Sequence, residues 1–148
     1  MNVILCGSRD LEDRDFVRKS FVDFVAKVQY ENIISLKDLK FVVVDDVKGA
    51  CHHLKMVCSE YGITPEQHAP KWNDMNEYPQ KVVRGGYYGD YNAWAALNRN
   101  TRVVEDARLS GGGYLLSLST TLKDTSDIVR KARTTNNIQV EIIRYERQ

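Results

Sequence analysis

Strand-like and helix-like stretches alternate along the whole chain, and this alternation constrains the fold more than any single motif. Val3 to Cys6 is a short apolar run. From Asp13 to Tyr30 the residues Val17, Phe21, Phe24, Val25 and Val28 recur at helical spacing with charges between them. Phe41 to Val44 is a continuous apolar run suited to a strand covered on both faces. Ala50 to Tyr61 reads as a second helix closed by Gly62, and Ile63 to Pro70 as a weak strand. Ala93 to Ala107 is helical in pattern, Tyr114 to Leu118 a strand, Asp124 to Arg133 a helix capped by Asp124 or Thr125, and Ile138 to Ile143 a final alternating strand. The expected fold is α/β: a single Rossmann-like three-layer domain over 1–148, with a mostly parallel sheet of about five strands.

In such sheets, ligands bind at the carboxyl ends of the strands, where strand order reverses. The turns Gly7 to Asp10, Asp45 to Gly49 and Ser119 to Thr125 therefore converge on one rim. The first, Gly-Ser-Arg-Asp, joins a strand to a helix, a common way to hold an anion. Gly7 lets the backbone come close, Ser8 offers a hydroxyl, and the helix start presents unpaired N–H groups. Arg9 can grip a phosphate or carboxylate with two parallel hydrogen bonds, or pair with Asp10 or Asp13. The second turn supplies Asp46, Lys48 and Gly49 as candidate ligand contacts. Asp45 and Asp46 suit a ribose hydroxyl or a shared Mg²⁺ ion; otherwise no cofactor is expected. Paired acids also repel a phosphate, against the anion reading of the same rim.

The formal net charge of +1 gives no overall electrostatic case for nucleic acid or a membrane surface. No long apolar run suggests a membrane span, and the N-terminus lacks a signal-peptide pattern. Three cysteines without a CxxC pair read as reduced thiols, and the expected location is cytoplasmic. Cys6 is read as core, as are Cys51 and Cys58, which share a helix face with Leu54. His52 and His53 are adjacent and point about 100° apart, so they do not form the i,i+4 pair of a helix-borne metal site.

Several fragments, taken in order, resemble the small YspA-type proteins of the SLOG superfamily, the Rossmann-like group that includes the LOG phosphoribohydrolases and the DNA-processing protein A family. MNVILCGSRD resembles the family's opening strand and turn. VVVDDVKGACHHLKMVCSEYGI resembles its second strand, Gly-x-x-Gly-Ala-Asp turn and helix, and Trp72 stands where a tryptophan follows that unit. Asn98-Arg99-Asn100 resembles an Arg-Asn pair at the start of a helix, and YLLSLSTTLKDTSDIVRKA resembles the strand, Gly-Thr turn and helix near the C-terminus. The resemblance implies that Arg99, Asn100, Asp124 and Thr125 belong to a ligand pocket with the first turn.

The departures fall on the chemistry. Asp45-Asp46 and Cys51 replace two glycines and an aspartate, with Gly49 and Ala50 retained, and Asp124-Thr125 replaces Gly-Thr. The position of the LOG catalytic glutamate is Ile128, with Asp127 one residue away and about 100° round the helix. Cleaving an N-glycosidic bond requires a carboxylate at the ribose. The resemblance therefore implies binding of a nucleotide or nucleotide-derived small molecule without turnover. Such a protein acts as a sensor, or as a sequestering sponge of the kind a phage deploys against nucleotide signalling. The alternatives are a nucleotide N-glycosidase or phosphoribohydrolase using Asp45, Asp46 or Asp127, and a protein-interaction module with a vestigial pocket.

Residues 73–92 interrupt the rhythm and read as a long loop or inserted excursion rich in tyrosine and glycine. Trp72, Tyr78, Tyr87, Tyr88, Tyr91 and Trp94 bring six aromatics into 23 residues, with Lys81 and Arg84 among them. They suit base stacking, a lid, packing over the sheet, or a subunit interface, and a homo-oligomer is expected. Ser110-Gly111-Gly112-Gly113 precedes a strand rather than following one, which puts it at the wrong end of the sheet for a phosphate loop.

Overall fold

The computed structural model describes residues 1–44, 48–87 and 89–146. Asp45, Asp46 and Tyr88, singled out above, lie outside the described residues. Strand β1 (Asn2–Gly7) leads to helix α1 (Arg14–Asn32), β2 (Lys40–Val44) to α2 (Ala50–Glu60), and a three-residue β3 (Glu66–His68) follows. After a hairpin of β4 (Val82–Gly86) and β5 (Gly89–Asn92) come α3 (Ala95–Leu109), β6 (Gly113–Ser119), α4 (Asp127–Arg133) and β7 (Ile138–Arg144). The five-stranded sheet has the order β3-β2-β1-β6-β7, every pair parallel. The fold is thus the expected Rossmann-like α/β arrangement, with strand order reversing between β1 and β6.

Alternation along each strand divides the core in two. Val3, Leu5, Phe41, Val43, Leu116 and Leu118 face α1 and α2, where Phe21, Phe24, Leu54 and Val57 cover them. Ile4, Cys6, Val42, Val44 and Leu115 face α3 and α4, against Val103, Val104, Ile128 and Val129. A strand buried on both faces needs apolar residues at successive positions, which is why β1 and β2 read as unbroken runs.

Local chemistry fixes the helix ends. The Asp13 carboxylate accepts a hydrogen bond from Phe16 N at 3.0 Å and starts α1. At its far end Ile33 takes the left-handed conformation, φ 51°, and donates its N–H to Gln29 O. Gly62 follows α2 at φ 71°, as the sequence predicts for a helix stop.

Two expectations need correction. Helix α4 starts at Asp127, so neither Asp124 nor Thr125 caps it. Asp124 turns back to accept from Ser126 N at 3.0 Å, which holds the chain in a turn before the helix begins. The 73–92 stretch, expected as a long loop or an inserted excursion, is not a plain loop but contains the antiparallel β4–β5 hairpin, with a register shift between Val83 and Gly86. The Asp90 carboxylate accepts from Gly85 N at 3.0 Å and from Arg84 at 2.7 Å, which steadies that irregularity. The buried Asn92 side-chain oxygen accepts from Lys81 N and Trp94 N, both at 3.1 Å, and Asn98 Nδ2 donates to Pro79 O at 2.7 Å, tying the excursion to α3. The glycines of 111–113 lead into and begin β6, Gly112 against Asn137 and Gly113 against Asn2, at the opposite end of the sheet from the turns that follow β1 and β6.

Candidate functional site

The end of β1 approaches both neighbours so closely that residue 7 has no room for a side chain. A Cβ there would stand 2.5 Å from Ala50 Cβ and from Leu118 O. Ser8 then ties three segments together. Its N–H donates to Leu118 O at 2.9 Å, its carbonyl accepts from Ala50 N at 3.0 Å, and its hydroxyl oxygen accepts from Thr120 N at 3.0 Å. Gly49 caps α2 at φ 76°, with its open side against the Arg9 backbone.

Between the carboxyl ends of β1 and β6, on the α3–α4 side, lies a cavity of about 200 Å³. Gly7 and Ser8 line it from β1 and the turn after it, Ser117 from β6, Cys51 from the first turn of α2, and Arg99 and Asn100 from α3. Asp124, Ser126, Asp127 and Ile128 close it from the turn before α4 and the first residues of that helix, with Cys6 and Val44 at its floor. This is the crevice that the reversal of strand order creates.

Hydrogen bonds fix its polar groups. Ser117 Oγ donates to Asp124 Oδ2 at 2.6 Å in a buried bond. Burial pushes the Asp124 carboxyl up, but the donors of Ser117 and Ser126 outweigh it, helped by the Arg133 charge, and hold it below the usual carboxylate range. Arg99 Nε donates to Asn100 Oδ1 at 3.0 Å, and Asn100 Nδ2 donates to Asp127 Oδ2 at 3.2 Å. Lys131 and Arg130 neutralise Asp127 at 2.6 and 3.4 Å. Burial, reinforced by neighbouring Cys51, drives the Cys6 thiol far up, so it stays protonated.

The site therefore combines one guanidinium, the carboxyl groups of Asp124 and Asp127, and several hydroxyl and amide groups. Such a set binds hydroxyls and a single anionic group, and its Cys6 is no thiolate nucleophile. Asp127 is engaged by three neighbours, and buried Ile128 stands where the resemblance places a glutamate.

Of the residues singled out in the sequence, Gly7, Ser8, Arg99, Asn100 and Asp124 meet around this cavity. Arg99 and Asn100 sit in the second turn of α3 rather than at its start. Arg9, Lys48 and Thr125 are exposed and stand outside its lining, as does the buried Gly49. Asp46, and with it the Mg²⁺ reading of the Asp45–Asp46 pair, lies outside the described residues. No group of three or more His, Cys, Asp or Glu arranged to hold a metal occurs among the described residues. His53 instead accepts from Arg14 Nε at Nδ1 (3.0 Å) and meets Glu12 Oε2 through Nε2 (2.9 Å), a tie between α2 and the start of α1.

Ser117, Ser126, Cys6 and Cys51 are lining residues that sequence reasoning did not assign to a site. Ser117 carried a signal, because a lone hydroxyl in the apolar run Leu115 to Leu118 marks a place where the strand meets something polar. A second depression, about 610 Å³, lies on the hairpin between Trp72, Tyr87 and Tyr91. No helix among the described residues is long and apolar enough to cross a membrane. No protein-family model, curated protein or solved structure matches this chain.

Proposed function

We propose that this chain binds a nucleotide or nucleotide-derived small molecule at the β1–β6 crevice and releases it unchanged. The observation that supports this most is the lining of the crevice, which brings together Arg99, Ser8, the first turn of α2 and the hydrogen-bonded Ser117–Asp124 pair. A phosphate favours the guanidinium and the helix start, and sugar hydroxyls favour an ionised, hydrogen-bonded carboxylate. A cavity of about 200 Å³ is small for a whole nucleotide, so part of the ligand lies over the mouth.

Binding without turnover is supported by the way the acids are engaged. Asp124 is held ionised by its donors, and Asp127 is bound by Asn100, Arg130 and Lys131. Asp124 is therefore not the raised, protonated carboxyl that a general acid requires, and Ile128 stands where the resemblance places a glutamate. The protein then serves as a sensor, or as a sponge that lowers the free concentration of its ligand. Resemblance to the SLOG superfamily points the same way.

Calorimetric titration with nucleoside 5′-monophosphates, cyclic dinucleotides and ADP-ribose, followed by chromatography of the mixture, tests the reading. Saturable binding of at least one, with the ligand recovered intact and affinity lost in Arg99→Ala, is the expected result. Release of free base or phosphate overturns binding without turnover. Equal affinity in Arg99→Ala overturns the location of the site.

A further inference from the structure

The Asp127 carboxyl lines the crevice, yet it meets cations of its own helix. Lys131, one turn along α4, stands 2.6 Å from its Oδ2, and Arg130 stands 3.4 Å from its Oδ1. The Lys131 ammonium also donates to Leu97 O of α3 at 2.9 Å, so the pair grips the neighbouring helix just before Arg99. A carboxyl compensated in this way adds little net negative charge to the crevice.

Its remaining contact runs across to α3. Asn100 is buried, at 7 % exposure, and bonds through both ends of its amide. Arg99 Nε donates to its Oδ1 at 3.0 Å, and its Nδ2 donates to Asp127 Oδ2 at 3.2 Å. A guanidinium N–H only donates and a carboxylate only accepts, so a single amide orientation satisfies both neighbours. Asp127 thereby fixes which end of Asn100 faces Arg99. An aspartate at 100 would set two carboxylates against each other, and an apolar residue there would take the acceptor away from Arg99 Nε–H.

We propose that Asp127 is a positioning residue: through Asn100 it sets the Arg99 guanidinium for the anionic group of the ligand before the ligand arrives. The inference rests on the proposed binding function and adds that an anion is received beside Asp127 rather than repelled by it. A carboxyl acting only by its charge opposes an anion, so removing it strengthens binding. A carboxyl acting through Asn100 helps the anion, so removing it weakens binding. The two roles differ in sign.

Two measurements on the same variants separate them. The first needs no ligand: exchange of the Arg99 Nε proton with water, followed by nuclear magnetic resonance and assigned with Arg99→Lys. In wild type it is expected to be clearly slower than in an exposed arginine such as Arg84. Asp127→Ala is expected to speed it about tenfold, the order for loss of one orienting hydrogen bond. Asp127→Asn, whose amide oxygen still accepts from Asn100 Nδ2, should restore most of the protection. The second is calorimetric titration with adenosine 5′-monophosphate. Asp127→Ala is expected to weaken binding about tenfold although it removes a negative charge, and Asp127→Asn to bind nearly as wild type does.

Should Asp127→Ala not fold, Asn100→Ala removes the relay, keeps the Asp127–Lys131 pair and gives the same two readings. Unchanged exchange at Arg99 in Asp127→Ala, or tighter binding of the monophosphate, overturns the proposal. A wild type that binds no nucleotide overturns the proposed function instead, and the exchange measurement still decides whether Asp127 positions Arg99.

Discussion

Ser117 Oγ and Asp124 Oδ2 stand 2.6 Å apart in a buried hydrogen bond that joins the carboxyl end of β6 to the turn before α4. The bond fixes one wall of the crevice and keeps a carboxylate ionised inside it. Because the folded-state Asp124 carboxyl lies below the usual range, its contribution to stability is complete above about pH 4, the unfolded value. That contribution is lost as pH falls through the lower folded-state value. Ser117→Ala is expected to cost about 1.5–3 kcal/mol at pH 7, the range for a hydrogen bond to a charged group. In urea unfolding at pH 7 and pH 3, the difference between wild type and variant should narrow at the lower pH. A difference independent of pH contradicts the account.

Ile33 closes α1 in the left-handed region at φ 51°, ψ 54°, with its side chain almost wholly exposed. A β-branched residue is strained there, and glycine is the residue this cap favours. Ile33→Gly is expected to stabilise the protein by about 1 kcal/mol, since relief of left-handed strain (~1–2 kcal/mol) exceeds the added flexibility of the unfolded chain. Equilibrium denaturation measures it, and a loss of stability argues that Ile33 makes a contact this account lacks.

Gly49 and Gly62 both have positive φ, 76° and 71°, but different surroundings. A Cβ at residue 49 meets the Arg9 backbone, whereas one at residue 62 meets nothing within 4 Å. Gly62→Ala is expected to cost about 1 kcal/mol from backbone strain alone. Gly49→Ala should cost clearly more, and it should weaken ligand binding by shifting the start of α2. Thermal unfolding of the two variants side by side checks the order, and equal costs contradict the close approach.

All three cysteines are buried. Burial pushes the Cys58 thiol up to about 12 and the Cys6 thiol further still. At pH 8 both are protonated and shielded, so neither should react with a thiol reagent within minutes in the native protein. All three should react together in denaturant. Rapid native modification of Cys6 contradicts the closed floor of the crevice.

The alternation of apolar runs and helical patterns was enough to read the parallel sheet, because strands such as Phe41 to Val44 are covered on both faces and cannot be mistaken for amphipathic helices. The hairpin was not legible. Gly85, Gly86 and Gly89 erase the period-2 pattern, and the pairing depends on Asp90 bonding to the backbone rather than on apolar contacts. The start of α4 escaped for a related reason: Asp124 looks like a helix cap, yet its carboxylate bonds to Ser117 and Ser126. At the site, Gly7 and Ser8 were readable from strand-turn-helix logic, and Arg99, Asn100 and Asp124 entered through a resemblance. Arg9 reads as an anion grip beside Ser8, but it sits on the exposed rim, because the chain turns outward once Ser8 has bonded to Leu118, Ala50 and Thr120.

Native mass spectrometry of the protein purified gently from cells, with the released small molecule identified after denaturation, tests the central claim most directly. The account predicts an intact nucleotide or nucleotide-derived molecule, one per chain, present in wild type and missing from Arg99→Ala. A co-purifying ligand of another chemical class, or a nucleotide retained in full by Arg99→Ala, contradicts it.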